Sequence, residues 1–167
     1  MKKTLLLAGA VACLFFLSVA FAFAQTRITV LPFQNMDGKM ELNIWSYKLQ
    51  DSLTKSLHQL DPAEEHFHII PADSVEMVLA ELNLDPTNPQ YASDMWKAVR
   101  MLNAEKVVTG NFNIRARKFL INAYVYDVRL RLPAQDHQAR DIFKKEADIY
   151  ESIPIIVESL KPALMGE

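Results

Sequence analysis

The sequence has little cysteine and little glycine. Cys13 is its one cysteine, and it contains 4 glycines among 167 residues. Cys13 lies within the first 24 residues, which we predict below to be a signal peptide that is removed. The mature chain would then have no cysteine, so a disulfide, a thiolate metal site and a cysteine nucleophile are all excluded. The few glycines do not favour a phosphate-binding loop, and no serine lies in a Gly-x-Ser-x-Gly turn. The sequence therefore offers no catalytic residues of these kinds.

The first residues have the pattern of an export signal. Two lysines precede an apolar run over residues 5–23, and small residues precede the bond between Ala24 and Gln25. We therefore predict a signal peptide over residues 1–24, cleaved after Ala24, and a mature domain over residues 25–167 outside the cytoplasm. The alternatives are an uncleaved membrane anchor, because the run is nearly long enough to span a bilayer, and a lipid anchor at Cys13.

Charge is unevenly distributed along the mature chain. Residues 25–99 contain 5 basic and 11 acidic side chains, whereas residues 100–145 contain 10 basic and 4 acidic ones. Such an asymmetry can orient docking to a charged partner, the alternative being an ordinary solvated surface.

Hydrophobic spacing predicts a single α/β (α+β) domain with the element order β-α-β-α-α-β-β-β-α. In the first helix, Trp45, Leu49, Leu53 and Leu57 recur at every fourth residue. We expect a mixed sheet of about five strands with the helices packed on its apolar face. The predicted strands are 27–33, 67–70, 106–114, 119–128 and 142–149; the predicted helices are 42–60, 74–82, 91–102 and 153–164; and 132–140 is predicted to be an exposed loop.

Four segments resemble the amino-terminal domain of the TolB type. Residues 28–35 have a hydrophobic run followed by Pro-Phe-x-Asn, and residues 69–75 resemble the family's second strand and the helix after it. Residues 102–110 resemble the step from helix to third strand, with a small residue, two aliphatics and a glycine, and residues 120–127 resemble the fourth strand, which ends in aspartate. The order of the four segments is that of the family.

The resemblance implies an envelope adaptor or assembly module without catalytic residues. Related modules occur in curli secretion, flagellar outer-membrane assembly and activation of peptidoglycan synthases, which implies a periplasmic protein of a Gram-negative bacterium. The sequence departs from the family pattern after Asp127, where residues 128–133 form a longer and more basic segment.

The polar face of the predicted hairpin is the candidate contact surface. Tyrosine is enriched in interface cores, so we expect an envelope protein or a second copy of the chain to cover this face. The alternative is an ordinary half-solvated sheet. The predicted partner-binding residues are Thr109, Asn111, Asn113, Asn122, Tyr124 and Tyr126.

The histidines are the candidates for metal chemistry. His66 and His68 share one face of a strand, and His58 with Glu64 or Glu65 would be needed to complete a site. Solvated histidines are the simpler interpretation, so we predict no metal, no cofactor and no catalytic residue. Export and a negative net charge argue against a nucleic-acid partner. The predicted function is thus that of a non-enzymatic envelope adaptor; the alternative is a binding protein for a small envelope ligand, such as a peptidoglycan fragment or a metal.

Overall fold

A mixed β-sheet forms the centre of the domain. The computed structural model describes residues 25–166, so the predicted signal peptide and Cys13 lie outside the described residues. The strands are β1 Thr26–Val30, β2 Gln34–Asn35, β3 Phe67–Ile69, β4 Lys106–Arg115, β5 Lys118–Asp127 and β6 Leu132–Lys144. Their order in the sheet is β3-β1-β4-β5-β6, and the short β2 pairs with β4. β1 is parallel to β3 and β4, whereas β4, β5 and β6 are antiparallel.

The helices follow the predicted order, and the predicted mixed α/β class is confirmed. Two 3-10 segments, Met40–Leu42 and Glu146–Glu151, precede the first and last helices. No helix between Gln25 and Gly166 combines the length and the apolar composition needed to cross a membrane. The helices are α1 Asn43–Leu60, α2 Ala72–Glu81, α3 Tyr91–Met101 and α4 Ser152–Met165.

The larger core lies between one face of the sheet, α1 and α4. Leu49, Leu53 and Leu57 of α1 are completely buried, as the spacing of four predicts. They belong to one apolar cluster with Ile156 of α4 and Ile121 of β5. These two helices therefore cover the face on which we expected all the helices to pack.

The opposite face of the sheet carries a second core beneath α2 and α3, which corrects the prediction that all helices pack on one face. Val75 of α2 and Val99 of α3 are buried in a cluster with Leu31 and Val107. Val107 and Val108 are adjacent in β4, and both are buried because successive side chains point to opposite faces. Such unbroken burial is typical of a strand covered on both sides.

β6 corrects the prediction for the end of the chain. Leu132–Lys144 is one long edge strand, where we expected a loop over 132–140 and a strand over 142–149. Only Ala139 and Ile142 of this strand are buried, so the apolar alternation that would reveal a strand is almost absent. A register shift against β5 and a left-handed Asp141, with φ of 56°, interrupt the alternation further.

Candidate docking groove on the sheet

The six predicted partner-binding residues lie on one face of the β4–β5 hairpin. Thr109 pairs with Tyr124 and Asn111 pairs with Asn122 across the two strands. This is the face on which α2 and α3 pack. The helices cover the end of the face near Tyr126 and leave the middle of the hairpin accessible, so the predicted surface is a groove beside α3 where an open sheet was expected.

The groove has a volume of about 240 Å³ and runs between α3 and the hairpin. Four of the six predicted residues line it, while Asn113 and Asn122 lie outside its lining. We call this feature the sheet groove. Its lining residues are Gln34, Tyr91, Ala92, Met95, Trp96, Thr109, Gly110, Asn111, Tyr124 and Tyr126.

A row of half-buried aromatic rings forms one wall of the sheet groove. The ring centroids of Tyr124 and Tyr126 are 6.1 Å apart, and those of Tyr126 and Trp96 are 5.7 Å apart in an edge-to-face arrangement. The guanidinium of Arg131 lies 5.6 Å from the Trp96 ring centroid and ends the row. Large, rigid rings with accessible edges are the residues that dominate binding energy in protein interfaces.

Sequence reasoning missed Trp96. Helical spacing predicts an inner stripe formed by Tyr91, Met95, Val99 and Leu102, and these four side chains are buried. Trp96 is one residue off that stripe and only half-buried, so it stands where the helix borders the hairpin. A tryptophan at the boundary of an amphipathic stripe is the sequence signal that could have found it.

The two central asparagines hold the hairpin together. Asn122 donates from Nδ2 to Oδ1 of Asn111 at 2.9 Å, and its Oδ1 accepts from the backbone N–H of Asp141 at 2.9 Å. Asn122 therefore satisfies the amide at the β6 irregularity. Thr109 is only 8% exposed. The residues with surface to offer a partner are consequently the two tyrosines, with Asn111 beside them.

Burial dominates the electrostatics of the sheet groove. It raises the pKa of Tyr126, and the neighbouring Tyr124 adds to that shift. Burial raises the pKa of Tyr91 as well, with a smaller contribution from Tyr47. These phenols stay neutral at physiological pH, and none of the residues that line the groove carries a charge.

The candidate metal ligands do not converge. Nδ1 of His68 lies 2.8 Å from Oε2 of Glu64, whereas Nδ1 of His66 lies 3.7 Å from Oδ1 of Asp61. Between Gln25 and Gly166, no three histidine, cysteine, aspartate or glutamate side chains are grouped as metal ligands. His66 and His68 thus each lie beside a different carboxylate.

No protein-family model and no curated protein matches the sequence, but several solved structures are similar to the chain. The LpoB C-terminal domain from Salmonella enterica has a TM-score of 0.46 and 12% identity, over 76% of this chain and 87% of that one. Lipoprotein GNA1162 from Neisseria meningitidis has a TM-score of 0.49 and 13% identity, over 83% of this chain and 99% of that one. TolB from Acinetobacter baumannii has a TM-score of 0.45 and 20% identity, over 85% of this chain but only 29% of that one. TolB, whose amino-terminal domain the four sequence segments resemble, is among the solved structures to which the chain is similar.

Proposed function

We propose that this domain is a non-catalytic docking module of the bacterial cell envelope, and that a protein partner occupies the sheet groove. The proposal includes export by residues 1–24, cleavage after Ala24 and a periplasmic location for residues 25–167. The apolar run followed by small residues supports export.

The row formed by Tyr124, Tyr126 and Trp96 is the observation that carries the proposal. The three rings are held by contact with one another, so little conformational freedom is lost when a partner packs against them. The hydrogen-bonded pair Asn111 and Asn122 fixes the strands beneath them. A rigid wall that combines aromatic rings with hydroxyl groups is typical of a protein-binding surface.

Site-specific photo-crosslinking tests this proposal in cells. A photoreactive phenylalanine analogue in place of Tyr124 is expected to form a discrete crosslinked product with an envelope protein or a second copy. The same analogue in place of Tyr150, a 47% exposed tyrosine packed on Trp45, is the control and should not form that product. Identical products from both positions would show that the groove is not the contact surface.

The double variant Tyr124→Ser, Tyr126→Ser provides the quantitative test. We expect at least about a tenfold loss of affinity for the crosslinked partner, equivalent to about 1.4 kcal/mol, since tyrosines are enriched among the residues that dominate binding energy in interfaces. Tyr150→Ser is the matched control and should bind as the unchanged protein does. Unchanged binding by the double variant contradicts the proposal.

Calorimetric binding of muropeptides or zinc to the mature domain would instead support the small-ligand alternative.

A further inference from the structure

Three arginines meet at the end of the sheet opposite the β4–β5 turn. Arg100 lies in the last turn of α3, and Arg129 and Arg131 lie in the turn between β5 and β6. All three line one open cavity of about 450 Å³. We call this cavity the arginine pocket. Arg100 is far in sequence from Arg129 and Arg131, so the sequence alone did not predict that they line the same cavity.

The turn that carries two of these arginines is fixed by hydrogen bonds. Oδ1 of Asp127 accepts from the N–H of Leu130 at 2.7 Å, and the backbone oxygen of Asp127 accepts from the N–H of Arg131 at 2.8 Å. Arg131 has a left-handed backbone, with φ of 55°. Its guanidinium is also placed over Trp96. Arg129 and Arg131 are therefore positioned by a well-defined turn.

The three guanidinium groups have no ion-pair partner. No ion pair among residues 25–166 includes Arg100, Arg129 or Arg131. The two carboxylates that line the same cavity belong to Glu105 and Asp127, and each accepts a backbone amide, from Arg27 at 3.0 Å and from Leu130 at 2.7 Å. Three positive and two negative side chains give the lining a net charge of +1, which favours an anion.

We propose that the arginine pocket binds a phosphate group, either free or as a monoester. A guanidinium offers parallel N–H donors that match two oxygens of an oxyanion. A carboxylate has only two oxygens, which one guanidinium can engage, whereas a phosphate monoester or free phosphate presents three or four oxygens to several guanidiniums at once. Three arginines around one cavity therefore favour phosphate over carboxylate.

Nuclear magnetic resonance on the mature domain tests the proposal directly. Inorganic phosphate should shift the side-chain Nε–Hε signals of Arg100, Arg129 and Arg131 saturably. Acetate at the same ionic strength should shift them far less. The absence of a saturable shift with phosphate, or equal shifts with acetate, would overturn the proposal.

A charge-matched pair of variants separates a specific site from general attraction. The pocket variant Arg100→Gln, Arg129→Gln, Arg131→Gln should bind phosphate at least about tenfold more weakly, because charge-assisted hydrogen bonds are lost. The tip variant Arg115→Gln, Arg117→Gln, Lys118→Gln removes the same charge at the other end of the sheet and should bind within about twofold of the unchanged protein. Equal losses of phosphate affinity in both variants would contradict a specific site. Arg129→Gln alone, in an exposed turn, serves if the triple variant does not fold.

Vesicle flotation identifies the source of the phosphate group. Binding to vesicles that contain phosphatidic acid, a phosphate monoester, but not to phosphatidylcholine vesicles, lost in the pocket variant, assigns a lipid headgroup. Binding of inorganic phosphate without vesicle binding assigns a soluble phosphate ester. Failure with both ligands overturns the pocket and leaves the sheet groove untouched, since its test uses Tyr124 and Tyr126.

Discussion

Asp61, directly after α1, is a buried carboxylate stabilised by backbone amides. It is 5% exposed and accepts the N–H groups of Glu65, His66 and Phe67 at 3.0, 2.8 and 3.0 Å. Burial alone raises the pKa of Asp61, but the three amide hydrogen bonds and the nearby His66 outweigh it, so the pKa is lowered. The ionised carboxylate thus ties the start of β3 to the end of α1.

This lowered pKa makes the fold sensitive to acid. Because the pKa of Asp61 is lower in the folded chain than in the unfolded chain, its stabilisation is complete above the unfolded pKa. It is lost as the pH falls through the folded pKa. We expect Asp61→Asn to lower the free energy of unfolding near pH 7 by about 2 kcal/mol, through loss of charge-assisted hydrogen bonds, and to flatten the decline in acid. Urea unfolding across acidic and neutral pH measures both effects.

An exposed aspartate provides the control for Asp61. The side chain of Asp51 is 63% exposed and pairs with Lys55 at 2.6 Å. Asp51→Asn should change the free energy of unfolding by less than about 1 kcal/mol, because surface ion pairs contribute little. An acid limb that is equally steep in the Asp61→Asn variant and in the unchanged protein would contradict the assignment.

Single residues could be interpreted from the sequence where backbone geometry demands them. Gly110 lies inside β4, where a glycine permits close approach, and a Cβ there would lie 2.3 Å from Cε1 of Phe33 and 2.5 Å from the oxygen of Asn122. Asp127 ends β5, where an aspartate is suited to accept a turn amide, and it accepts that of Leu130. Both roles depend on local backbone chemistry, so the residue type at each position indicates them.

At the scale of elements, the β4–β5 turn is strained. It has two central residues, Ala116 and Arg117, with φ of 49° and 61°. Two-residue hairpin turns of this kind strongly prefer Asn-Gly, because left-handed backbone costs other residues about 1 kcal/mol each. The register from Arg115 to Lys118 leaves no other room for the chain to reverse.

Relief of this strain should stabilise the domain. We expect Ala116→Asn, Arg117→Gly to raise the melting temperature by roughly 2–4 °C, equivalent to about 1 kcal/mol after the added flexibility of the unfolded chain is counted. Differential scanning calorimetry measures the shift. Arg117→Ala removes the charge but keeps the strained backbone, so it should give no such gain. A rise of equal size in that control would mean that charge repulsion at the turn, rather than backbone strain, is the cause.

The elements that the sequence predicted well have a full apolar stripe. The Trp45 to Leu57 repeat placed α1 correctly, because a buried helix face repeats over several turns. β6 lacked such a signal, since an edge strand has one exposed side and only Ala139 and Ile142 point into the core. Edge strands are generally polar, which makes them resemble loops in sequence.

At the scale of the whole molecule, the main surprise was the second core beneath α2 and α3. The sequence contained its trace in the adjacent apolar residues Val107 and Val108, but periodicity alone does not say which helix covers which face. This placement turned the predicted open surface into a groove with α3 as its wall. It explains why Tyr124 and Tyr126 were anticipated at the site while Trp96 was not.

Two cores on opposite faces raise the question of whether the chain unfolds as one unit. They share β4, because Val107 belongs to one core and Val108 to the other. Domains of this size usually unfold in a single cooperative transition. We therefore expect the two cores to unfold together, as the proposed single domain over residues 25–167 requires.

The two tryptophans can test this cooperativity, since Trp45 reports on the α1 and α4 face and Trp96 on the α2 and α3 face. In each single-tryptophan variant, Trp45→Phe or Trp96→Phe, the urea midpoint from fluorescence should coincide with the midpoint from circular dichroism of the same sample. Comparing the two probes within one variant removes the effect of the substitution on stability. A Trp96 signal that changes at lower urea than the circular dichroism would show that the α2 and α3 layer opens separately. The sheet groove would then lose its wall before the sheet itself unfolds.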